Sequence, residues 1–145
     1  MKKLLLSVAL AAAFASAAPI AQAATAPANF NVTVNLTSKC EVTAGPTDVA
    51  FTYTSFQVGA ATATGGAFSV RCTNTLPYTM ALDATSGTVI GLAYTLGLSA
   101  ASGTGAGLTA ASYSVTGGMI AGQSGDCATT AVCTGTSARV LTVTY

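Results

Sequence analysis

The sequence of 145 residues predicts an all-β domain, and three observations support this prediction. From residue 30 onward, apolar and polar residues alternate with a period of two, which is typical of strands that bury one face. The apolar positions are mostly Val, Leu and aromatic residues, and Thr occupies many polar ones, a composition that strands favour. No long stretch after residue 23 shows the 3.6-residue period of an amphipathic helix.

The alternation divides into seven short predicted strands, in chain order. They cover residues 30–36, 49–53, 68–72, 78–82, 90–98, 113–115 and 141–145. Turn-forming residues separate them, namely Gly45-Pro46, Gly65-Gly66, Ser86-Gly87, 103–107 and Gly117-Gly118. Seven short strands in one domain of this size predict a β-sandwich of immunoglobulin-like type.

Residues 1–23 have the pattern of a secretory signal peptide. A basic start at Met1-Lys2-Lys3 precedes an apolar run over residues 4–18, and Ala21-Gln22-Ala23 is an A-x-A cleavage motif. A membrane anchor is the alternative, but the apolar run is short and no stop-transfer pattern follows it. We therefore expect an exported protein that begins at Ala24.

The low charge excludes several function classes. Only 6% of the residues are charged and none is His, whereas a charged fraction of about 25% is usual. Without His, acid–base catalysis by imidazole and most zinc sites are excluded. The mature chain keeps three cations and four anions, too few cations for a nucleic-acid-binding patch. They are Lys39, Arg71, Arg139, Glu41, Asp48, Asp83 and Asp126.

Enzyme chemistry also lacks its usual groups. No His or suitably placed Lys could activate one of the many hydroxyls, and the acidic residues show no paired spacing. The Gly-rich segment 103–107 lacks the Lys-Ser/Thr pair of a phosphate-binding loop. We predict no catalytic residues, no metal, no cofactor and no small-molecule substrate.

Four cysteines lie in the predicted mature chain: Cys40, Cys72, Cys127 and Cys133. An even number of cysteines in an exported protein indicates two disulfides, for which three pairings are possible. We favour Cys40–Cys72 and Cys127–Cys133, the second of which closes a tight loop. The chain-entropy estimate is roughly 3.7 kcal/mol for the long loop and roughly 2.4 kcal/mol for the short one.

Both ends of the mature chain are strongly alternating. Residues 30–36 follow a small, polar leader at 24–29, and the chain stops on the aromatic residue Tyr145 within its last predicted strand. Such strands can simply be the outer strands of a closed sandwich. Alternatively, exposed edges of this kind pair with strands of other subunits.

Five segments, in this order, resemble the spore coat protein U family, which includes the major pilins of archaic (Csu-type) chaperone–usher pili. The resemblance covers nearly the whole mature chain. The segments are FNVTVNLTSKC (30–40), SVRCTNTLPYTMALD (69–83), LAYTL (92–96), GMIAGQ (118–123) and LTVTY (141–145). Three features depart from the family pattern. FTY replaces the usual Phe-Gly pair, and the turn before the last strand is reduced to GTSA, with Cys127 and Cys133 inserted nearby. Gly, Ala, Ser and Thr replace the charged and Trp-bearing middle of many members.

The resemblance implies an incomplete immunoglobulin-like sandwich that is completed by a donor strand from another subunit. A periplasmic chaperone would first fill the open groove, and an outer-membrane usher would then exchange it for the N-terminal strand of the next pilin subunit. The donor side chains would be Phe30, Val32, Val34 and Leu36, spanning about 20 Å on one strand face. The strand that contacts the chaperone and the donor would carry Leu141, Val143 and Tyr145.

This implies a division into a signal peptide (1–23), a donor-strand segment (24–36) and a pilin-like domain (37–145). It also implies export through the periplasm to a fimbrium on the surface of a Gram-negative cell, in adhesion or biofilm. Two alternatives remain: a monomeric secreted coat or binding module with the same fold, and a small outer-membrane β-barrel. The disulfides, the aromatic content of 7% and the lack of aromatic girdles count against the barrel.

Overall fold

The protein is described by a computed structural model over residues 24–145, so the predicted signal peptide lies outside the described residues. The chain divides into two units between Val34 and Asn35. In the first unit, residues 24–34 form neither helix nor strand and their side chains are exposed. The predicted strand over 30–36 is therefore not present as a strand within this chain.

The second unit contains eleven strands and, within residues 35–145, no helix. They are β1 (Cys40–Ala44), β2 (Val49–Ala50), β3 (Ala61–Thr62), β4 (Thr64–Gly65), β5 (Ala67–Cys72), β6 (Pro77–Leu82), β7 (Ser86–Val89), β8 (Leu92–Leu98), β9 (Ser102–Thr104), β10 (Ala111–Met119) and β11 (Leu141–Thr144).

The strands form two main antiparallel sheets. The larger has the order β1-β5-β10-β8-β7, with β3 also paired to β10, and the smaller has the order β11-β6-β9. A short pair, β2-β4, accompanies them. This arrangement confirms the predicted all-β, immunoglobulin-like sandwich architecture.

The core follows the predicted alternation along β5 and β6. Phe68, Val70 and Cys72 are buried from one strand, and Tyr78 and Met80 from the other. With Cys40 and Val115 they form a first core cluster that joins both sheets. A second core cluster is built on Leu92, Tyr94 and Met119.

The predicted single strand over 90–98 is wrong at its start, because the chain turns there. Ile90 and Gly91 have positive φ values of 44° and 69° and connect β7 to β8 as a two-residue hairpin turn. Ser86-Gly87, expected as a turn, lies instead in β7. Its glycine is needed for space, since a Cβ there would collide with Tyr94 and Arg139.

Two other strands differ in length from the sequence-based expectation, one being longer and one shorter than predicted. Gly117-Gly118, expected as a turn, lies within β10, and a Cβ at Gly117 would lie 2.8 Å from the ring of Phe51. Of the predicted strand over 49–53, only Val49–Ala50 is paired as a strand.

The disulfides are Cys40–Cys72 and Cys127–Cys133, which is the pairing that the sequence analysis favours. The first joins directly opposed residues of β1 and β5 and is buried in the first core cluster. The second closes an exposed loop between β10 and β11.

Candidate functional site

A cavity of about 740 Å³ opens in the second unit between the two core clusters. Its lining is dominated by apolar side chains contributed by both sheets and by the segments before β11. These include Phe51, Val89, Leu92, Leu96, Met119 and Leu141. The cavity is therefore an apolar groove, and we refer to it as the groove below.

Two backbone segments line the groove, and each contains a stretch that is not paired with another strand. One wall is residues 48–53 and the other is residues 134–141. Within the described residues, the backbone groups of Phe51–Tyr53 and of 134–137 form no hydrogen bond. Extended backbone beside an apolar groove with unused donors and acceptors is an edge that can accept a further strand.

The second wall continues into β11, which is itself an edge strand. β11 pairs with β6 on one side and has no strand on its other side among the described residues. Of the predicted acceptor residues, Leu141 lines the groove, Val143 packs on the first core cluster, and Tyr145 is 59% exposed.

The two walls run in opposite directions. Val49 and Leu141 pack on the first core cluster. Phe51 and Tyr53 pack on the second cluster, where Gly135 also lies against Val89 and Ile90. The wall formed by residues 48–53 thus runs from the first core cluster towards the second. The wall formed by residues 134–141 runs from the second core cluster towards the first.

Arg139 holds the second wall over the larger sheet. Its Nη2 donates a hydrogen bond to the backbone oxygen of Ser86 at 3.3 Å, and its Nη1 lies 4.0 Å from Oδ2 of Asp83. Its guanidinium also lies 5.6 Å from the ring centroid of Tyr94. Nε of Arg139 and the hydroxyl of Tyr94 are buried and have no hydrogen-bond partner.

Asp83 ties the end of this wall to β6. Its Oδ1 accepts a hydrogen bond from the N–H of Val140 at 3.0 Å, and its own N–H donates to the Val140 oxygen at 3.0 Å. The Val140 N–H holds the pKa of the Asp83 carboxyl below its usual range, with further help from Arg139. The wall is therefore anchored at its β11 end and unpaired over 134–137.

Sequence reasoning missed Arg139 and Tyr94 as groove residues, and it missed Gly87 as the position that makes room for them. The signal was present, because Arg139 continues the inward row of Leu141 and Val143 by one step of two residues. An Arg at an inward position contradicts a purely apolar strand face, and it therefore marks a special position.

The predicted donor side chains are all exposed. The exposed fractions are 84% for Phe30, 77% for Val32, 80% for Val34 and 78% for Leu36. Four large apolar side chains on alternate residues are an unusual feature of a solvated segment.

Residues 24–145 contain no group of three or more His, Cys, Asp or Glu residues that could hold a metal ion. No helix within them is long and apolar enough to span a membrane.

Comparison with known proteins gives one match. A family model described as Spore Coat Protein U domain matches residues 26–143. Neither the curated proteins nor the solved structures gave a match.

Proposed function

The chain belongs to the spore coat protein U family, and from this premise we propose that it is a structural subunit of an archaic chaperone–usher pilus. In this proposal each subunit accepts, in its groove, the N-terminal segment of the next subunit. The fibre so formed would serve adhesion or biofilm formation at the cell surface.

The observation that carries the proposal is the unpaired stretch in each of the two walls beside the apolar groove. A strand placed between the two walls would receive backbone hydrogen bonds from Phe51–Tyr53 and from residues 134–137, whose backbone groups form none within the described residues. The same strand would cover the apolar groove lining, including Leu92 and Met119. Both features are satisfied by an inserted strand with one apolar face.

The segment 24–36 supplies such a strand. Phe30, Val32, Val34 and Leu36 alternate with Asn31, Thr33 and Asn35, so an extended conformation presents all four apolar side chains on one face. Burial of four such side chains contributes roughly 6–12 kcal/mol before the ordering costs. The hydrogen bonds with the walls add to this gain.

The partners follow from the same chemistry. A subunit with an open apolar groove and unpaired edges is prone to aggregation until a strand covers them. We therefore propose a periplasmic chaperone that covers the groove first and an outer-membrane usher where the exchange takes place. The small number of charges in residues 24–145 fits a subunit whose edges are meant to associate.

A pair of single substitutions tests the donor role. Val34→Asp would place a charge in the apolar groove, and we expect it to abolish fibres seen by electron microscopy. Thr33→Asp introduces the same charge on the opposite face of the segment and is the matched control, which we expect to form fibres. Deletion of residues 24–36 should also abolish fibres while the subunit is still captured by the chaperone.

Two outcomes of these experiments would contradict the proposal. Fibres of normal length and number from the deletion of 24–36 would rule out donor-strand exchange through this segment. Loss of fibres from both Val34→Asp and Thr33→Asp would mean that the segment does not act through its apolar face.

A further inference from the structure

The loop closed by Cys127–Cys133 lies at one end of the groove. Gly125, just before the loop, packs against Leu92, and the N–H of Asp126 donates to the Ile90 oxygen at 2.8 Å. After the loop, Gly135 packs against Val89 and Ile90. Both ends of the loop are thus anchored at the second core cluster, and the disulfide limits the conformations between them.

The direction of an inserted strand follows from the walls. Because the walls run in opposite directions, a strand between them is antiparallel to one and parallel to the other. The wall that continues through β11 offers the longer edge, and every strand pair described in the domain is antiparallel. Antiparallel pairing is also slightly more stable per residue. A donor antiparallel to β11 ends, at Leu36, beside Gly135 and the disulfide loop.

The folded domain of the subunit that donates the strand must then begin close to this loop of the accepting subunit. Only Thr37 and Ser38 separate Leu36 from Lys39, and three residue steps span at most about 11 Å. Lys39, just before β1, and Arg71 in β5 both pair with Glu41 of β1, and Lys39 Nζ lies 3.0 Å from the Glu41 carboxylate. This exposed group of two cations and one anion carries a net positive charge.

The loop and Asp126, the residue directly before it, present a matching surface. Asp126 is exposed, its carboxylate lies over Gly91, and it forms no ion pair within residues 24–145. Val132 in the same loop is 92% exposed. The acceptor therefore offers an unpaired anion and an apolar side chain at the point where the donor copy brings its cations.

We propose that the Cys127–Cys133 loop is a second contact surface for the adjoining copy of this chain, in which Asp126 pairs with Lys39 of that copy. The proposal rests on the proposed donor-strand function and adds a contact outside the groove. Such a contact would restrict rotation about the two-residue connection and so fix the orientation of successive subunits.

Carbodiimide cross-linking of assembled fibres tests the contact. The reagent joins an amine and a carboxylate in direct contact, and Lys39 is the only lysine after Lys3. Fibres are grown from a mixture of ¹⁴N- and ¹⁵N-labelled full-length subunits, so that mixed-isotope peptides identify links between copies. We expect a mixed-isotope Lys39–Asp126 link, together with a Lys39–Glu41 link within one copy as the internal positive control.

Two conservative variants complete the test. Asp126→Asn and Lys39→Arg should both form fibres, because an exposed ion pair contributes little to stability, and each should lose the Lys39–Asp126 link, because each lacks one of the two reactive groups. Fibres whose Lys39 links only to Glu41 would overturn the proposal. A mixed-isotope link from Lys39 to Asp48, at the other end of the groove, would also overturn it by reversing the strand direction. Absence of wild-type fibres would overturn this proposal and the proposed function together, whereas the other two results leave the proposed function intact.

Discussion

The guanidinium of Arg139 lies 5.6 Å from the ring centroid of Tyr94 and fills a space above Gly87 in the opposing strand. Gly87 in β7 and Tyr94 in β8 are directly opposed. Because Gly87 has no side chain, there is room beside it for the Tyr94 ring and the Arg139 guanidinium. Through this contact and its hydrogen bond to Ser86, Arg139 positions the groove wall over the larger sheet.

Gly87→Ala should therefore destabilise the domain. The added Cβ would collide with the Arg139 guanidinium and the Tyr94 hydroxyl, and overpacking of this kind typically lowers the free energy of unfolding by about 1–3 kcal/mol. Gly45→Ala is the matched control, because a Cβ there meets nothing within 4 Å. We expect the control to leave the free energy of unfolding unchanged or to raise it by up to about 1 kcal/mol.

Urea unfolding of the full chain measures both variants. Equal free energies of unfolding for Gly87→Ala and Gly45→Ala would mean that Arg139 and Tyr94 can move aside without cost. In that case the contact does not position the wall.

Tyr78 should make the stability fall at high pH. Burial, together with the 2.6 Å hydrogen bond between its hydroxyl and that of Tyr113, raises the pKa of Tyr78 to about 12. The ordinary tyrosine pKa in an unfolded chain is about 10. Because the folded state holds the proton more tightly, this contribution is complete below pH ~10 and is lost as the pH rises towards ~12.

Measurement of the free energy of unfolding at several pH values between 8 and 12 tests this. We expect a decrease of about 1–3 kcal/mol across the interval, given that one pKa unit corresponds to 1.36 kcal/mol. Tyr78→Phe should flatten the decrease, whereas Tyr145→Phe, at an exposed residue, should retain it. An unchanged slope in Tyr78→Phe would assign the pH dependence to other groups.

The two disulfides should differ in their contribution to stability. Cys40–Cys72 closes a separation of 32 residues within the buried core, and Cys127–Cys133 closes a separation of 6 in an exposed loop. Replacement of Cys40 and Cys72 by Ala should lower the free energy of unfolding by about 3–5 kcal/mol, and replacement of Cys127 and Cys133 by about 2.4 kcal/mol. Urea unfolding of the two double variants would contradict this expectation if the order were reversed.

The alternation predicted the buried faces of β5 and β6 correctly, because the side-chain period of a strand is a local property. It failed at Ile90-Gly91, where an apolar residue adopts the positive φ of a hairpin turn. It also placed Gly87 and Gly117 in turns, although both lie in strands where a neighbouring side chain occupies the space of the missing Cβ. A glycine that marks a turn and one that admits a distant side chain look the same in the sequence.

The sequence by itself determined the fold class, the buried strand faces and the apolar row of Phe30, Val32, Val34 and Leu36, since each depends on residues two positions apart. Only the tertiary structure decided which edges stay unpaired and where the groove opens. It brought residues 48–53 and 134–141 to one groove and placed Arg139 against Tyr94. These contacts join segments more than forty residues apart, and local periodicity carries no information about such distances.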